Sequence, residues 1–347
     1  MDLSEFDFHL PDELIAQEAE PTRDAARLMS LDRVTGEIEH RCVCDVADLL
    51  KPDDLIVVND TRVIPARLLG RRDPSGGAVE CLLLSRLDET RWDALVHPGQ
   101  KLRDGARAVF EADDHSLELE VLDCHFHGRR TVRLTALGED VETAIDAIGH
   151  IPLPPYIKRK DHPLDRARYQ TVYARTLGSV AAPTAGLHFT PELLARLQNR
   201  GISRQAITLH VGYGTFEPVR TAVVEDHRVA AERYHVSEET AEAVNCALDE
   251  GRRIIAVGTT TTRTLEAVAR LNGGRLRAGH GQTDLYIHGS FDFKVVGGLL
   301  TNFHLPRSSL LLLVAAFAGH ESTLAAYRQA IARCYRFYSY GDAMLIL

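Results

Sequence analysis

Between residues 63 and 134 the chain is written in short runs that suit strands, and on either side of that stretch it is written differently. Val79-Glu80-Cys81-Leu82-Leu83-Leu84, Trp92-Asp93-Ala94-Leu95-Val96, Ala108-Val109-Phe110, Leu117-Glu118-Leu119-Glu120-Val121-Leu122 and Arg130-Thr131-Val132-Arg133-Leu134 follow one another. Turn-formers such as Asp73-Pro74-Ser75-Gly76-Gly77, His97-Pro98-Gly99 and Asp104-Gly105 separate them. Short strands at this spacing predict a small all-β barrel of Greek-key type, or a sandwich. From Thr190 onward helices and strands alternate instead. Thr190-Pro191-Glu192 reads as an N-cap, a first-turn proline and an acid at the positive end of the dipole, with Gly201 closing that helix. A strand over 205–211, a helix capped by Ser237 and closed near Gly251, a buried strand over 253–257 and a helix from about Thr262 come next. Alternation of this kind implies a largely parallel sheet. The expected fold class is therefore α/β: an α/β domain of residues 1–62 and 151–347, interrupted by an inserted all-β domain of residues 63–150.

A chain of 347 residues, 45% hydrophobic and 26% charged, is long enough for two domains with real cores. Its longest apolar run, 310–318, is far short of the roughly 20 residues that cross lipid as a helix. The acidic start Met1-Asp2-Leu3-Ser4-Glu5 lacks the layout of a secretory signal, so the expectation is a cytoplasmic protein with no membrane partner. Cys42, Cys44, Cys81, Cys124, Cys246 and Cys334 form no CxxC and read as small buried hydrophobes; His125 and His127 beside Cys124 find no second cluster of ligands, so no metal is expected. The net charge of −9 argues against indiscriminate nucleic-acid binding but permits a local basic surface. Lys158, Arg159, Lys160, Arg166 and Arg168 form one such group; Arg62, Arg67, Arg71 and Arg72 form another. Either is equally well a solvated face.

Ligands in open α/β sheets sit beyond the carboxyl ends of strands. The polar turns that follow predicted strands are Asn59-Asp60-Thr61-Arg62, Ala182-Pro183-Thr184-Ala185-Gly186-Leu187-His188, His210-Val211-Gly212-Tyr213-Gly214-Thr215, Gly258-Thr259-Thr260-Thr261-Thr262-Arg263 and Thr301-Asn302-Phe303-His304. Each has a plainer alternative: a helix-capping turn for 258–263, hydrogen-bonded structural histidines, an Asp60–Arg62 ion pair. The 258–263 turn lacks the closing Gly-Lys-Ser/Thr of a phosphate loop and the GxGxxG of dinucleotide binders, yet its small residues suit a nucleoside or a carboxylate at a helix N-terminus.

At these residues the sequence resembles the S-adenosylmethionine:tRNA ribosyltransferase-isomerases of queuosine biosynthesis. The matching stretches include Asn59-Asp60-Thr61-Arg62-Val63-Ile64-Pro65, Gly149-His150-Ile151-Pro152-Leu153-Pro154-Pro155-Tyr156-Ile157 and the segments 178–190, 208–216 and 258–266. Thr301-Asn302-Phe303-His304-Leu305-Pro306 and Tyr335-Arg336-Phe337-Tyr338-Ser339-Tyr340-Gly341-Asp342 complete a set that runs in family order across nearly the whole chain. Val229, Ala230, Gly289 and Gly297 depart from the family pattern.

The resemblance implies an enzyme that uses S-adenosylmethionine as a co-substrate, with no cofactor, and a tRNA carrying 7-aminomethyl-7-deazaguanine at the wobble position. The expected products are epoxyqueuosine-bearing tRNA, adenine and methionine. That chemistry needs a base, assigned to His188 or His210 with Asp60 as the third choice. It needs groups that hold the donor, for which Arg62, Thr184, Gly186, Gly258, Thr259, Arg263, Asn302 and His304 are the candidates. Lys158, Arg159, Lys160 and Arg168 are expected to hold the tRNA, and the protein to act as a monomer. Two other classes remain open on the residues alone: a tRNA-binding module without chemistry, which would release no adenine, and an S-adenosylmethionine-dependent RNA methyltransferase, which would methylate RNA. The absence of HExxH spacing counts against a metal-dependent hydrolase.

Overall fold

The computed structural model describes residues 1–216 and 219–347. Its larger part is a nine-stranded mixed sheet. Four central strands, Ser203–Leu209, Leu55–Asn59, Ile254–Val257 and Gly298–Asn302, run parallel in that order. Antiparallel neighbours extend both sides: Glu232–Val236 and then Gly279–Thr283 beyond the first of them, and Ala343–Ile346 beyond the last. Arg27–Leu31 pairs parallel with Ala343–Ile346, and Ile38–Cys42 forms the far edge. Leu55–Asn59, Ile254–Val257 and Gly298–Asn302 are buried at every position, as strands covered on both faces must be.

The expected caps are present. The Thr190 hydroxyl accepts from the Leu193 amide at 3.0 Å ahead of helix Pro191–Asn199, and the Ser237 hydroxyl from Thr240 at 3.1 Å ahead of Glu238–Asp249. The next helix, Thr259–Leu271, begins earlier than the sequence suggested. Gly258 takes φ +90°, which a residue with a Cβ rarely adopts, and its carbonyl accepts the first helical bond, from Thr262. Inside the helix the threonines turn their hydroxyls back on the preceding turn: Thr261 donates to the Val257 carbonyl at 2.8 Å and Thr264 to that of Thr260 at 3.0 Å.

The smaller part is a closed barrel with strands Arg67–Asp73, Ala78–Arg86, Arg91–His97, Arg107–Ala112, His115–Cys124 and Arg129–Ala136. The first three form a meander and the fourth returns beside the first, which is Greek-key order. Its core is separate from that of the sheet, and Ile145 and Ile148 of helix Val141–Ile148 complete it. The chain enters and leaves the barrel at one place: Arg67 and His150 exchange backbone hydrogen bonds of 2.8 and 3.2 Å. Gly149 fits there because a Cβ would stand 2.0 Å from the Pro65 carbonyl oxygen.

The cysteines correct the expectation that they are buried hydrophobes. All six are free, but Cys124, Cys246 and Cys334 are exposed, Cys42 and Cys44 half-buried, and Cys81 alone is buried, inside the barrel. Cys124 and Cys334 stand at the ends of elements, and Cys246 on the open side of its helix, where no packing demand reaches them. Among the described residues no single helix is long and apolar enough to cross a membrane; the bent pair Ser309–Ala318 and His320–Ala332 meets the length and composition requirement only jointly, across a 116° bend. Leu311 to Val314 of that pair are buried in the core.

Candidate active site

A cleft opens at the carboxyl ends of Leu55–Asn59, Ile254–Val257 and Gly298–Asn302. Thr184, Gly258, Thr259, Asn302 and His304 line it together, so four of the five polar turns reach this cleft and the turn 59–62 does not. The rest of the wall mixes hydroxyls, from Thr215, Thr260, Thr301, Ser308 and Ser339, with apolar and aromatic side chains such as Ala181, Pro183, Leu305, Leu310, Tyr156 and Tyr338. Asn59 anchors this end of the sheet from behind: its side chain bonds both the amide and the carbonyl of Leu209 at 3.0 Å, and donates to Thr260 at 3.3 Å.

Asn302 is the organiser of the floor. Its Oδ1 accepts from Thr184 at 2.9 Å, and its Nδ2 donates to the Tyr338 carbonyl at 3.1 Å and toward His188 Nε2 at 3.2 Å. His304 Nε2 is bonded to Thr301 at 2.9 Å while its own amide donates to the Tyr327 hydroxyl at 3.0 Å. Burial pushes His304 down to about 3, so it stays neutral at physiological pH. The Thr259–Leu271 helix points its first turn at the cleft, and Gly258 has no side chain with which to cap it.

Two broader recesses adjoin the cleft, and both lie between the sheet and the barrel. Val211 is shared by the cleft and one recess, Thr215 and Leu310 by the cleft and the other, so the three spaces meet around residues 211–215. His210 and Arg62 line the first recess, facing Leu84, Ser85 and Trp92 of the barrel. His210 Nδ1 bonds to the Thr61 hydroxyl at 2.9 Å, and Gly178 lies so close to the ring that a Cβ there would stand 2.8 Å from it. Burial, with the charge of Arg233 adding to it, lowers the His210 pKa and keeps the imidazole neutral. Arg263 lines the second recess, facing Asp93 and Arg129. It is ion-paired at 2.5 Å with Glu232, whose other oxygen accepts from the Gly212 amide at 2.8 Å; the second guanidinium nitrogen of Arg263 is buried without a partner.

The other expected residues lie elsewhere. His188 is buried behind Asn302 and opens only onto a small pit with Arg23 and Arg168. Burial first, and then the positive charges of Arg23 and Arg336, bring it down to about 4. Asp60 accepts from the Thr208 hydroxyl at 2.6 Å and lines none of these spaces. Gly186 makes room for Tyr173, whose hydroxyl would stand 2.2 Å from a Cβ. In the basic stretch, Arg159 is held by Asp165 at 2.7 Å and Glu18 at 2.6 Å, and Arg168 by the carbonyls of Glu20 and Pro21. Lys158 makes an exposed 3.2 Å pair with Asp12, and Lys160 is exposed. The Asp60–Arg62 ion pair weighed as a plainer reading is not formed.

A family model described as queuosine biosynthesis protein matches residues 3–346. The chain belongs to that family. It is 51% identical, over the full length of both chains, to the protein of Pelotomaculum thermopropionicum named S-adenosylmethionine:tRNA ribosyltransferase-isomerase. It is 52% identical over the same span to the like-named protein of Symbiobacterium thermophilum. Among solved structures, that of the S-adenosylmethionine tRNA ribosyltransferase of Thermotoga maritima covers 99% of this chain and 100% of its own, at 41% identity and a TM-score of 0.57.

Within this family fold, the departures noted in the sequence fall at different depths. Val229 and Ala230 line the second recess, with Ala230 3.6 Å from where a Gly214 Cβ would stand. Gly297 sits at the amino end of its strand beside Arg253, on the side of the sheet away from the cleft, and Gly289 packs near Met1. Sequence reasoning missed Tyr156, Tyr338, Glu232 and the barrel residues that face the recesses. The two tyrosines stood inside the family-like segments, but they do not follow a strand, so the polar-turn rule passed over them. Among the described residues no group of three or more His, Cys, Asp or Glu side chains is placed to hold a metal ion.

Proposed function

We propose that this chain transfers and isomerises the ribosyl group of S-adenosylmethionine onto 7-aminomethyl-7-deazaguanine at the wobble position of a tRNA, leaving epoxyqueuosine and releasing adenine and methionine. The observation that carries the reading is the junction of a cleft, with no charged side chain among the described residues of its lining, and a wide groove between sheet and barrel, in a chain whose full-length relatives bear the ribosyltransferase-isomerase name. The adenosyl part of the donor suits the cleft. Methionine, which carries charges, suits the adjoining groove, where the unpartnered nitrogen of Arg263 can meet its carboxylate. The acceptor base, attached to a polymer, has to arrive through the opening between barrel and sheet.

The reaction needs a proton removed from the ribose carbon next to the sulfonium. His210 is the favoured base: it is neutral, it lines the groove, and its Nδ1 is fixed by Thr61, leaving Nε2 for the substrate. His188 is then a positioning residue for Asn302. The amine of the acceptor forms the new bond to the sugar, adenine departs with the electron pair of its glycosidic bond, and methionine departs with the sulfur's. A mass-spectrometric assay with S-adenosylmethionine and precursor tRNA should find epoxyqueuosine in the RNA, with adenine and methionine released in step. Methylated RNA in its place, or bound tRNA without products, would reject the reading.

A further inference from the structure

Among the described residues the lining of the cleft includes no Asp, Glu, Lys or Arg, and most of its polar side chains are already bonded within the protein. One stands out. The Tyr338 hydroxyl is buried and has no hydrogen-bond partner, although the residue is only 8% exposed. A phenol left this way is costly unless a ligand completes it. Its backbone is also unusual: φ is +73°, in the left-handed region that a bulky side chain rarely occupies. Two contacts hold it there. The Tyr338 carbonyl accepts from Asn302, and the ring stacks on Tyr156 at 4.0 Å between centroids and 29° between planes. Tyr156 is in turn fixed by Ser339 at 2.5 Å. A strained, doubly braced tyrosine thus lines the cleft, and its one polar atom is buried there and unused.

We propose that the Tyr338 hydroxyl donates a hydrogen bond to a ring nitrogen of the donor's purine and stabilises that purine as it leaves. The assignment rests on reading the cleft as the adenosyl site. As the glycosidic bond breaks, its electron pair passes to the purine nitrogen and negative charge spreads over the ring. A donor already aimed at the ring gains strength at that moment and needs no reorganisation. Tyr338 is suited to donate and not to accept, since burial raises its pKa and keeps the proton on oxygen. A lining without charged side chains among the described residues favours the neutral base over the charged methionine end of the same molecule.

The test is Tyr338→Phe, which keeps the ring, the stack and the backbone and removes only the oxygen. Binding of adenine and of S-adenosylmethionine is measured by calorimetry, and turnover with S-adenosylmethionine and with its 3-deaza and 7-deaza analogues. Adenine binding is expected to weaken about 10-fold. kcat is expected to fall about 10²- to 10³-fold, with a smaller change in KM. Wild-type enzyme should lose activity with one of the deaza analogues, and the variant should lose nothing further with that analogue. Unchanged binding and kcat in the variant overturn the proposal. Equal slowing with all three donors also overturns it, because it assigns Tyr338 a structural role alone. If wild-type protein binds S-adenosylmethionine but Tyr156 and Tyr338 variants bind it equally well, the cleft is not the adenosyl site and the donor reading of this space falls, while epoxyqueuosine formation by wild type would leave the overall function standing.

Discussion

The cleft and the groove beside it share a rim at residues 211–215, yet they are lined by different chemistry. Among the described residues the cleft has no Asp, Glu, Lys or Arg in its wall, and its hydroxyls, amide and imidazole are mostly bonded within the protein. The groove is wider, is walled by sheet and barrel, and carries both signs of charge, with Arg62, Arg166, Arg233 and Arg263 beside Asp93, Glu142, Asp146 and Glu232. A site whose polar groups are satisfied in advance holds a small ligand by shape and a few unfilled bonds. A charged groove between two bodies suits a large polyanion and the ionic end of a small donor.

The contrast breaks most readily at His210, which stands in the groove side of the junction. His210→Ala should lower kcat by roughly 10²- to 10⁴-fold in the epoxyqueuosine assay while leaving tRNA affinity in place; retention of activity would move the base elsewhere. His188→Gln should cost less in kcat and should act through Asn302, so that the loss is accompanied by weaker donor binding.

Glu232 tests the groove's internal charge. Glu232→Ala leaves the Arg263 guanidinium buried beside Leu285 without its counter-ion, and urea denaturation should show a loss of about 3–5 kcal/mol. A loss under ~1 kcal/mol would mean that the pair is not desolvated as described.

Acid tests the floor of the cleft. His188 is held neutral down to about 4 and His304 down to about 3, whereas both titrate near 6.5 in an unfolded chain. The unfolded chain then binds protons first. Stability present above pH 6.5 therefore declines as the pH falls from 6.5 toward 4, by up to ~3 kcal/mol for His188. Melting temperatures across that window should fall, and His188→Gln should flatten part of the decline; a flat wild-type profile would contradict the burial.

The smallest effects are expected at single exposed charges. Lys160 and Arg62 are exposed, so replacing either with alanine should weaken tRNA binding a few-fold and reduce the salt slope by about 0.7–0.9 if it meets a phosphate. Arg159→Ala should instead lower stability, because Asp165 and Glu18 already hold that side chain. Equal salt effects for Lys160 and Arg159 would erase the distinction between them.

Much of this arrangement was legible in the sequence because it follows local rules. Thr190-Pro191-Glu192 and Ser237 cap the helices expected of them, and the alternating runs from Val79 to Leu134 became barrel strands. The barrel strand Arg67–Asp73 was not legible: Arg-rich, with Gly70 in its middle, it lacks a strand's pattern. Gly70 is there because a Cβ would stand 2.5 Å from the Phe110 ring, a demand imposed by a strand far along the chain. The helix at Gly258 started early for a reason of the same kind, a positive φ that no neighbour announces. The polar turns led to Thr184, Thr259, Asn302 and His304 because topology gathers strand ends at one edge. They did not separate residues facing the cleft from those bracing it, as with His188 and Asp60, since side-chain direction depends on contacts distant in sequence.

The clasp at Arg67 and His150 bears on how such a chain varies. Because the barrel closes on itself and its two connections meet at a single point, the nine-stranded sheet experiences the whole insertion as one short loop. Hairpins at the far end of the barrel can lengthen, shorten or change composition without disturbing the register of a single strand in the sheet. Residues 65, 67, 149 and 150 have no such freedom, because each is set against another at backbone distance. Relatives can therefore diverge in the barrel's loops while inheriting the cleft unchanged.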